Sequence, residues 1–583
     1  MKQLFCLSLL CCMGLCSSLM ANNIAVSIAS LTGQNTTAGT NSTANFTMVK
    51  FNVSWDNSWR TSSGPSNWDA AWVFVKFMVG SSNPVLTGAS SSGTTVTVSS
   101  TANLRAGMPV VVSSGTGTFA TNTVISSISS ATQFEVSATP STALSNATIT
   151  CQRIWEHASL DPDVNSHIAP NGSTILVPAD STGAFIYRSA DGTGSVNYQN
   201  VQLRWQYGIN GVTDDALIQV KVFAIEMVYV PQGAFAAGGG TNSPPQFWYG
   251  FLLTTINTAN ATTVPSGNAG ISSSPQGGYP SGITTPTNAL WPNGFGAFYC
   301  MKYEITQGAY RDFLNTLTYA QQVSRTATAP SSAAGTGALE STNANRNGLD
   351  IMTSGVAATF TPAVYACNLD GDGIYDENVD GEWIACNWLT WMDGCAYVDW
   401  AGLRPMTELE YEKACRGTLT PVANERAWGS TALTRVTAIT NDGANNETYT
   451  DNGANAVCSS GVAGPLRVGV FAGASTTRAQ AGATYYGIME MTGNVWERAV
   501  TIQNLTGTAY TGVHGNGRLS TSGHANQTNW PGLSGGEVTG ATGSGARGGG
   551  FTSLNQFLKM IDRNNAHNQL TTREPTYGFR GVR

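Results

Sequence analysis

The pattern of apolar and polar positions divides the chain into stretches with different periods. Apolar residues alternate with polar ones in FTMVKFNVSWDNSWR and NWDAAWVFVKFMV, and again in VQLRWQYG and ALIQVKVFAIEMVYV. A period of two, rich in Val, Phe and Trp and interrupted by Ser, Gly and Asn turns, is typical of antiparallel strands with one buried face. Together these stretches predict one β-sandwich over residues 22–225.

Residues 84–150 interrupt that pattern with short apolar runs that carry almost no charge. TTVTVSS, MPVVVSS, TVISSISS and QFEVSA are separated by turns of Ser, Thr and Gly. Insertions are tolerated best at exposed loop tips. We therefore predict a small β-module inserted into a loop of the sandwich.

Two longer segments have a helical period. YEITQGAYRDFLNTLTYAQQ spaces four apolar side chains three or four residues apart, which predicts a helix. TWMDGCAYVDWAGLRPMTELEYEKACRG contains a second helix, in which Thr407 and Glu410 form a capping-box pattern. Loops and short strands are predicted for most of the rest of residues 226–583, so this part is expected to be an irregular α+β domain.

Composition narrows the class of protein. A chain of 583 residues exceeds the roughly 250 to 300 residues of one core, so several domains are expected. Charged residues make up 11% and aromatic residues 9%, which is typical of a β-rich, loop-rich globular protein. The net charge of −7 is spread along the chain without a Lys/Arg run, which argues against nucleic acid as a partner.

The first residues, MKQLFCLSLLCCMGLCSSLMANN, place a lysine before an apolar run that ends in small residues. This is the pattern of a secretory signal peptide, and the run is too short for a spanning helix. We expect residues 1–21 to be cleaved and the mature protein to be secreted or held at the cell surface. Seven cysteines then remain, an odd number without CxxC spacing, and we expect buried thiols with room for one or two disulfides.

Several motifs occur in a fixed order along the second half of the chain. They are MVYVPQGAF, KYEITQGAYRDFLN, CAYVDWAGLRPMTELEYEKACRG, GIMEMTGNVWERAV, RGGGF and YGFRGVR. In order, spacing and character they resemble the formylglycine-generating enzyme family, also called the sulfatase-modifying factors, over residues 227–583. The resemblance implies a variant of the C-type lectin fold for the irregular α+β domain at 226–583, after the N-terminal all-β sandwich and its inserted β-module.

The resemblance also directs attention to two positions after the RGG motif. Oxidases of this family carry cysteines six and eleven residues after its arginine, and these cysteines bind copper and activate oxygen. Counted from Arg547, the two positions hold Ser553 and Leu558 here. A hydroxyl is a hard neutral donor and leucine is no ligand, so we expect no catalytic residue and no copper at this site. Iron is not expected either, because no two histidines have the i, i+4 spacing of a helical metal site.

The stretch CNLDGDGIYDENVDGEW alternates oxygen-bearing side chains as a calcium loop does. The ligands predicted from its first nine positions are Asn368, Asp370, Asp372, Ile374 through its carbonyl, and Asp376. Val379 stands where a glutamate is usual, with Glu377 or Asp380 as alternative ligands. The competing interpretation is a solvated acidic turn.

The family resemblance implies a second calcium ion at the GNVWE motif. The implied ligands are the side chains of Glu490 and Glu497 and the carbonyls of Gly493 and Val495. The alternative is a charged turn beside the core residue Trp496.

The segment TSLNQFLKMIDRNNAHNQLTTREPT, residues 552–576, is termed the C-terminal segment below. It mixes amides and hydroxyls with aromatic and Met side chains, which suits a recognition surface. The arrangement also resembles proteins diversified by retroelement mutagenesis, in which a variable segment precedes a GFR-like motif. The alternative is a plain surface loop. The residues predicted to contact a ligand are Thr552, Ser553, Asn555, Gln556, Phe557, Lys559, Asn564, Asn565, His567, Asn568 and Gln569.

Arg547, Arg563, Phe579 and Arg580 are predicted to form the frame of the C-terminal segment. The leading hypothesis is an exported, non-catalytic binding or display protein whose calcium-supported head recognises a protein or glycan at a cell surface. One alternative is an oxidoreductase like the sulfatase-modifying factors, which would need another thiol. The other is a self-assembling subunit of a surface layer or filament, suggested by the low charge and the many Ser/Thr/Gly strands.

Overall fold

The computed structural model describes residues 2–3, 23–239, 254–261, 286, 288–340, 342, 344–459, 461–473 and 475–583. The predicted signal peptide and most of the Gly/Pro/Ser-rich stretch between residues 240 and 287 lie outside the described residues. The described part is mostly β-structure with five α-helices. None of the helices described combines the length and the apolar character needed to cross a bilayer.

A three-stranded antiparallel sheet packs on a larger sheet in the N-terminal part. Its strands, in spatial order, are Gly192–Trp205, Phe46–Arg60 and Ala25–Asn35. In Phe46–Arg60 every second side chain up to Trp55 is buried, as the alternation predicts. These side chains share a core with Val73 and Val75 of the facing sheet, and burial of this apolar face stabilises the pairing.

The larger sheet continues from the sandwich into the C-terminal domain. Its strands, in spatial order, are Ser173–Leu176, Ala184–Arg188, Asp69–Val79, Leu217–Val230, Phe298–Met301, Gly581–Val582 and Arg404–Pro405, with Glu156–His157 and Lys2–Gln3 pairing at the side. Leu217–Val230 pairs with Asp69–Val79 over most of its length, and its last residues also pair with Phe298–Met301. One strand therefore crosses the boundary predicted at residues 225 and 226.

Asp69–Val79 is apolar at nearly every position because both of its faces are covered. Val73 and Val75 point into the sandwich core, whereas Trp72 and Phe74 belong to the core of the C-terminal domain. The Trp72 indole N–H donates to the Ala401 carbonyl at 2.7 Å. Both packing and hydrogen bonding thus join the two halves.

Residues 85–151 form a separate sheet with its own apolar core, which includes Val110, Phe134 and Ile149. Its strands, in spatial order, are Val110–Thr118, Thr142–Cys151, Val85–Ser92, Thr95–Thr97, Gln133–Val136 and Ile125–Ser130. The chain enters and leaves this sheet at neighbouring strands, since Val85–Ser92 pairs with Thr142–Cys151. This geometry is that of an insertion between two strands of the sandwich.

Each of the two predicted helical segments contains two helices. The first holds α1 (Gln307–Leu314) and α2 (Tyr319–Arg325), because Thr318 caps a new helix in a capping box with Gln321. The second holds α3 (Trp391–Trp400) and α4 (Glu408–Arg416), followed later by α5 (Leu505–Thr508). The capping box predicted for Thr407 and Glu410 at the start of α4 is confirmed.

Short hairpins and turns complete the C-terminal domain. The two-stranded antiparallel pairs are Phe235–Ala237 with Thr254–Ile256, Leu349–Thr353 with Val364–Cys367, Ile439–Thr440 with Thr448–Tyr449, Glu497–Val500 with Ser544–Arg547, and Leu533–Ser534 with Glu537–Val538. The 3₁₀ turns of the described chain are Val164–Ser166, Ala344–Arg346, Ala357–Thr359 and Asn555–Leu558. The seven cysteines in the described part are all buried and unpaired.

Candidate functional site

The arginine of the RGG motif is held by helix α4. Arg547 ends the strand Ser544–Arg547, which pairs with Glu497–Val500, so the RGG and GNVWE motifs lie side by side. Its guanidinium group is fully buried and lies 3.1 Å from Glu408 Oε2 and 2.6 Å from Glu412 Oε1. Charge-assisted pairs of this length fix the position of the arginine firmly.

Glu408 also binds Arg563, the second arginine of the frame. Arg563 Nε lies 2.7 Å from Glu408 Oε2, and one of its terminal nitrogens lies 2.8 Å from Oε1. The Thr501 hydroxyl donates to Oε1 at 2.8 Å. Burial alone would raise the pKa of Glu408, but Arg563 and Arg547 hold it below its ordinary value. The ionised Glu408 carboxylate therefore binds both Arg547 and Arg563 and holds the two ends of the stretch of chain between them.

The remaining frame residues anchor the YGFRGVR motif. Arg580 lies 2.8 Å from Glu497 Oε1 and donates to the carbonyls of Met301 and Met489. Phe579 has no exposed area, and its ring centroid lies 5.6 Å from that of Trp391. All four predicted frame residues are thus buried, between elements that are distant in sequence.

Ser553 and Leu558, the two positions counted from Arg547, both lie close to Gly549. A methyl group added at this glycine would lie 3.3 Å from Ser553 Cβ and 3.0 Å from Leu558 Cδ1. The Ser553 hydroxyl accepts the Gly550 N–H at 2.8 Å, and Leu558 is fully buried against Trp428 and Cys458. Both side chains serve to close a turn.

The residues predicted to contact a ligand fall into three groups by exposure. Four of them are exposed: Thr552, Asn555, Gln556 and His567. Six are half-buried: Phe557, Lys559, Asn564, Asn565, Asn568 and Gln569. Ser553 is buried, so its side chain lies away from the surface that the exposed residues form.

Several half-buried members are held by neighbours within or beside the segment. The Asn568 amide donates to the Tyr577 hydroxyl at 2.7 Å, and the Asn564 amide donates to Asp562 Oδ2 at 2.7 Å. Phe557 packs on Trp496 with the ring centroids 5.9 Å apart. Side chains held in this way lose less conformational entropy on binding.

Sequence reasoning missed four residues that shape this surface. Leu554 is 60% exposed, Arg426 donates to the Asn555 side chain, and the Ser459 hydroxyl donates to the Ser553 carbonyl at 2.8 Å. Arg573 pairs with Asp393 of α3 at 2.6 Å. Leu554 could have been found as an apolar residue in a polar run. The roles of the other three residues depend on contacts that no local sequence pattern reveals.

The predicted calcium loop brings together only part of its predicted ligands. Carboxylate oxygens of Asp370, Asp372 and Glu377 lie within 4.8 Å of one another. Asp376 instead lies 2.6 Å from Arg311 and accepts the Cys367 N–H. Asn368 Oδ1 accepts the Gly373 N–H at 3.1 Å, and Ile374 donates its N–H to Asp372 Oδ1.

Asp380, named as an alternative ligand, lies fully buried behind this loop. Its Oδ2 accepts the Glu377 N–H at 2.8 Å, whereas its Oδ1 accepts no hydrogen bond from the described residues. Burial, together with the charges of Asp370, Glu377 and Asp372, raises the pKa of Asp380 to about 6.

The GNVWE turn contains the second predicted metal set, joined by a third carboxylate. Glu490, Glu497 and Glu304 are all buried, and Glu304 accepts the Asn494 amide at 2.7 Å. Glu490 Oε2 and Glu497 Oε2 accept no hydrogen bond within the described chain. Burial raises the pKa of Glu490 to about 7 and also raises those of Glu497 and Glu304, the last with a contribution from the Glu497 charge.

Such buried anionic oxygens without donors fit a cation, which would offset the cost of their desolvation. Gly493 and Val495, whose carbonyls are the other implied ligands, lie on the turn between Glu490 and Glu497, and the Gly493 N–H donates to the Gly548 carbonyl. Glu304 belongs to the KYEITQ motif, and its role had no signal in the sequence because it reaches the turn only through the fold.

The described part of the C-terminal domain combines a few short helices with many short strands and turns, and the arginines of its RGG and YGFRGVR motifs pair with buried carboxylates. Residues 219–583 match the model of the family described as sulfatase-modifying factor enzyme 1-like domain, and the chain therefore belongs to this family. A search of curated proteins found no match.

Replacing Glu408 tests whether its carboxylate holds the C-terminal segment. In the Glu408→Gln variant two buried guanidinium groups lose their shared counter-charge, so we expect the free energy of unfolding to fall by about 3 to 5 kcal/mol. Urea unfolding monitored by tryptophan fluorescence measures the loss. The matched control is Glu537→Gln at a half-exposed site, expected to stay within about 0.5 kcal/mol of wild type. Equal stability of the two variants would contradict the assignment.

Proposed function

We propose that this protein is an exported, non-catalytic binding protein whose C-terminal segment recognises a protein or glycan at a cell surface. One observation carries the proposal. Glu408 binds Arg547 and Arg563, and the chain between them presents Thr552, Asn555 and Gln556 to solvent. A rigid base with exposed polar tips suits recognition, because the backbone is ordered before the ligand arrives.

The alternative function is an oxidation like that for which the family is named. The positions of the two family cysteines favour binding over oxidation, since the Ser553 hydroxyl is engaged by the Gly550 N–H and Leu558 is buried. The cysteines that the domain does contain are buried, and burial raises the pKa of the Cys300 thiol to about 12. A thiol in such surroundings forms little of the reactive thiolate near neutral pH.

Calcium is part of the proposal for the head. Glu490, Glu497 and Glu304 would hold the ion at the GNVWE turn, together with the carbonyls of Gly493 and Val495. A bound calcium ion supplies positive charge that offsets the repulsion among buried carboxylates. The turn that carries these residues supports Arg547 through the strand pair Glu497–Val500 and Ser544–Arg547.

The β-domains are proposed to act as a stalk that carries the head. The continuous sheet through Leu217–Val230 supports this, because it joins the stalk and the head without a flexible linker. The alternative of a structural subunit predicts self-assembly, which sedimentation of the mature protein at high concentration would reveal as a large species. A monomer under these conditions favours the binding role.

To test binding, the mature protein, residues 22–583, is applied in calcium-containing buffer to arrays of glycans and of extracellular protein domains. For whichever probe binds, we expect the Gln556→Ala/His567→Ala double variant to bind at least about tenfold more weakly, because both exposed side chains lie on the proposed surface. The matched control is Thr132→Ala/Gln133→Ala on the inserted module, expected to bind like wild type. Absence of any bound probe, or equal weakening by both variants, would refute the proposal.

The oxidase alternative has a direct assay. We expect a cysteine-containing peptide incubated with the protein, copper and oxygen to keep its thiol, because the two counted positions hold Ser553 and Leu558. Mass spectrometry of the peptide measures conversion of cysteine to formylglycine. Conversion above that of a protein-free sample would establish an enzyme and overturn the non-catalytic proposal.

Diversification makes a prediction about sequence variation. If the C-terminal segment is a changeable surface, substitutions across a population should fall on exposed positions such as Asn555 and His567 and spare Leu558, Ile561 and Arg563, which are buried. Deep sequencing of codons 552–576, compared with codons 227–540, measures this. Uniform codons throughout would remove diversification and leave a binder with one fixed ligand.

A further inference from the structure

The acidic loop between Asn368 and Asp380 has the geometry of a cation site. Three of its carboxylates, from Asp370, Asp372 and Glu377, approach within 4.8 Å of one another. Calcium binds oxygens at about 2.4 Å, so two oxygens on opposite sides of one ion lie about 4.8 Å apart. The spacing of the three carboxylates is therefore compatible with their sharing a single ion.

A second observation points to the same place. Asp380 has no exposed area, and its Oδ1 accepts no hydrogen bond from the described residues. Its other oxygen accepts the N–H of Glu377, which places the Asp380 carboxylate next to one of the three candidate ligands. A buried anionic oxygen without a donor is costly, and a cation in the loop would offset that cost.

The loop is already shaped for an ion by bonds at both ends. At the start of the loop the Asn368 side-chain amide donates to Asp350 Oδ2 at 3.0 Å. The side-chain oxygen of Asn368, Oδ1, accepts the Gly373 N–H. Gly371 and Gly373 have φ angles of 75° and 83°, in the left-handed region that favours glycine. These bonds and turns aim the side chains of Asp370 and Asp372 to the same side.

Asp376 ties the far end of the loop to helix α1. Its Oδ1 lies 2.6 Å from Arg311 and accepts the Cys367 N–H at 2.8 Å. An oxygen engaged by a guanidinium and a backbone amide is a poor ligand for a cation. Asp376 therefore acts as a structural support, and the ninth position of the sequence pattern does not supply a direct ligand.

We infer that this loop binds one calcium ion through Asp370, Asp372 and Glu377, with the Asn368 oxygen as a further candidate ligand and the buried charge of Asp380 beside the site. Carboxylate and amide oxygens without sulfur or nitrogen select a hard cation. Calcium is favoured over magnesium because it accepts irregular sets of oxygens, whereas magnesium demands an octahedral shell and gives up water reluctantly. This site is separate from the carboxylates at the GNVWE turn and does not depend on the proposed ligand recognition.

Calcium titration of the mature protein, after treatment with a chelator, tests the ligand set. We expect Asp370→Asn/Asp372→Asn to bind one calcium ion fewer per chain than wild type by isothermal titration calorimetry. Glu377→Gln should weaken that site at least about tenfold. Asp215→Asn, at an exposed carboxylate outside the loop, is the matched control, and it should keep the number of bound ions with an affinity within about threefold of wild type. Magnesium chloride should not replace calcium at equal concentration.

Two results would overturn the inference. One is an equal number of bound ions in wild type and in Asp370→Asn/Asp372→Asn, and the other is loss of an ion from Asp215→Asn. Unfolding temperatures in the chelator separate binding from folding. Removing two repelling charges should leave the calcium-free double variant at least as stable as calcium-free wild type. Calcium should also raise the unfolding temperature of wild type more than that of the double variant, which keeps only the carboxylates of the GNVWE turn.

Discussion

The carboxylate of Glu408 is the constraint on which the C-terminal segment depends. Burying an ion is expensive, and it is tolerated only where nearly every lone pair meets a donor. Glu408 meets this condition with two guanidinium groups, a hydroxyl and a backbone N–H. The two arginines flank Thr552, Asn555 and Gln556, so the stretch between residues 547 and 563 is held at both of its ends. Leu558, Met560 and Ile561 then fill the core beneath.

The domain neutralises its buried acids in two ways. Around Glu408 and Glu412 the counter-charges are arginines supplied by the chain itself, so this part is complete without any ion. At the GNVWE turn the buried carboxylates of Glu304, Glu490 and Glu497 interact with the charge of Arg580, and two of their oxygens lack donors among the described residues. Stability at the second place is expected to depend on the medium, whereas stability at the first depends on sequence alone.

Local patterns in the sequence predicted what is local in the structure. The alternation in Phe46–Arg60 follows from one buried face, and the capping box of α4 involves residues three apart. The ordered motifs identified the family. Prediction failed where contacts between residues distant in sequence determine the role of a side chain. Arg311 donates to Asp376, 65 positions away, and Arg426 donates to Asn555, 129 positions away. No periodicity carries such information, so the ligand set of the acidic loop and the border of the recognition surface needed the fold.

The strand Leu217–Val230 has a mechanical consequence. Its backbone is hydrogen-bonded to Asp69–Val79 of the sandwich and to Phe298–Met301 of the C-terminal domain, without a hinge between them. A pulling force between the two domains would load these ladders along the strand, as shear across several bonds at once. Such an arrangement resists extension better than a flexible linker does.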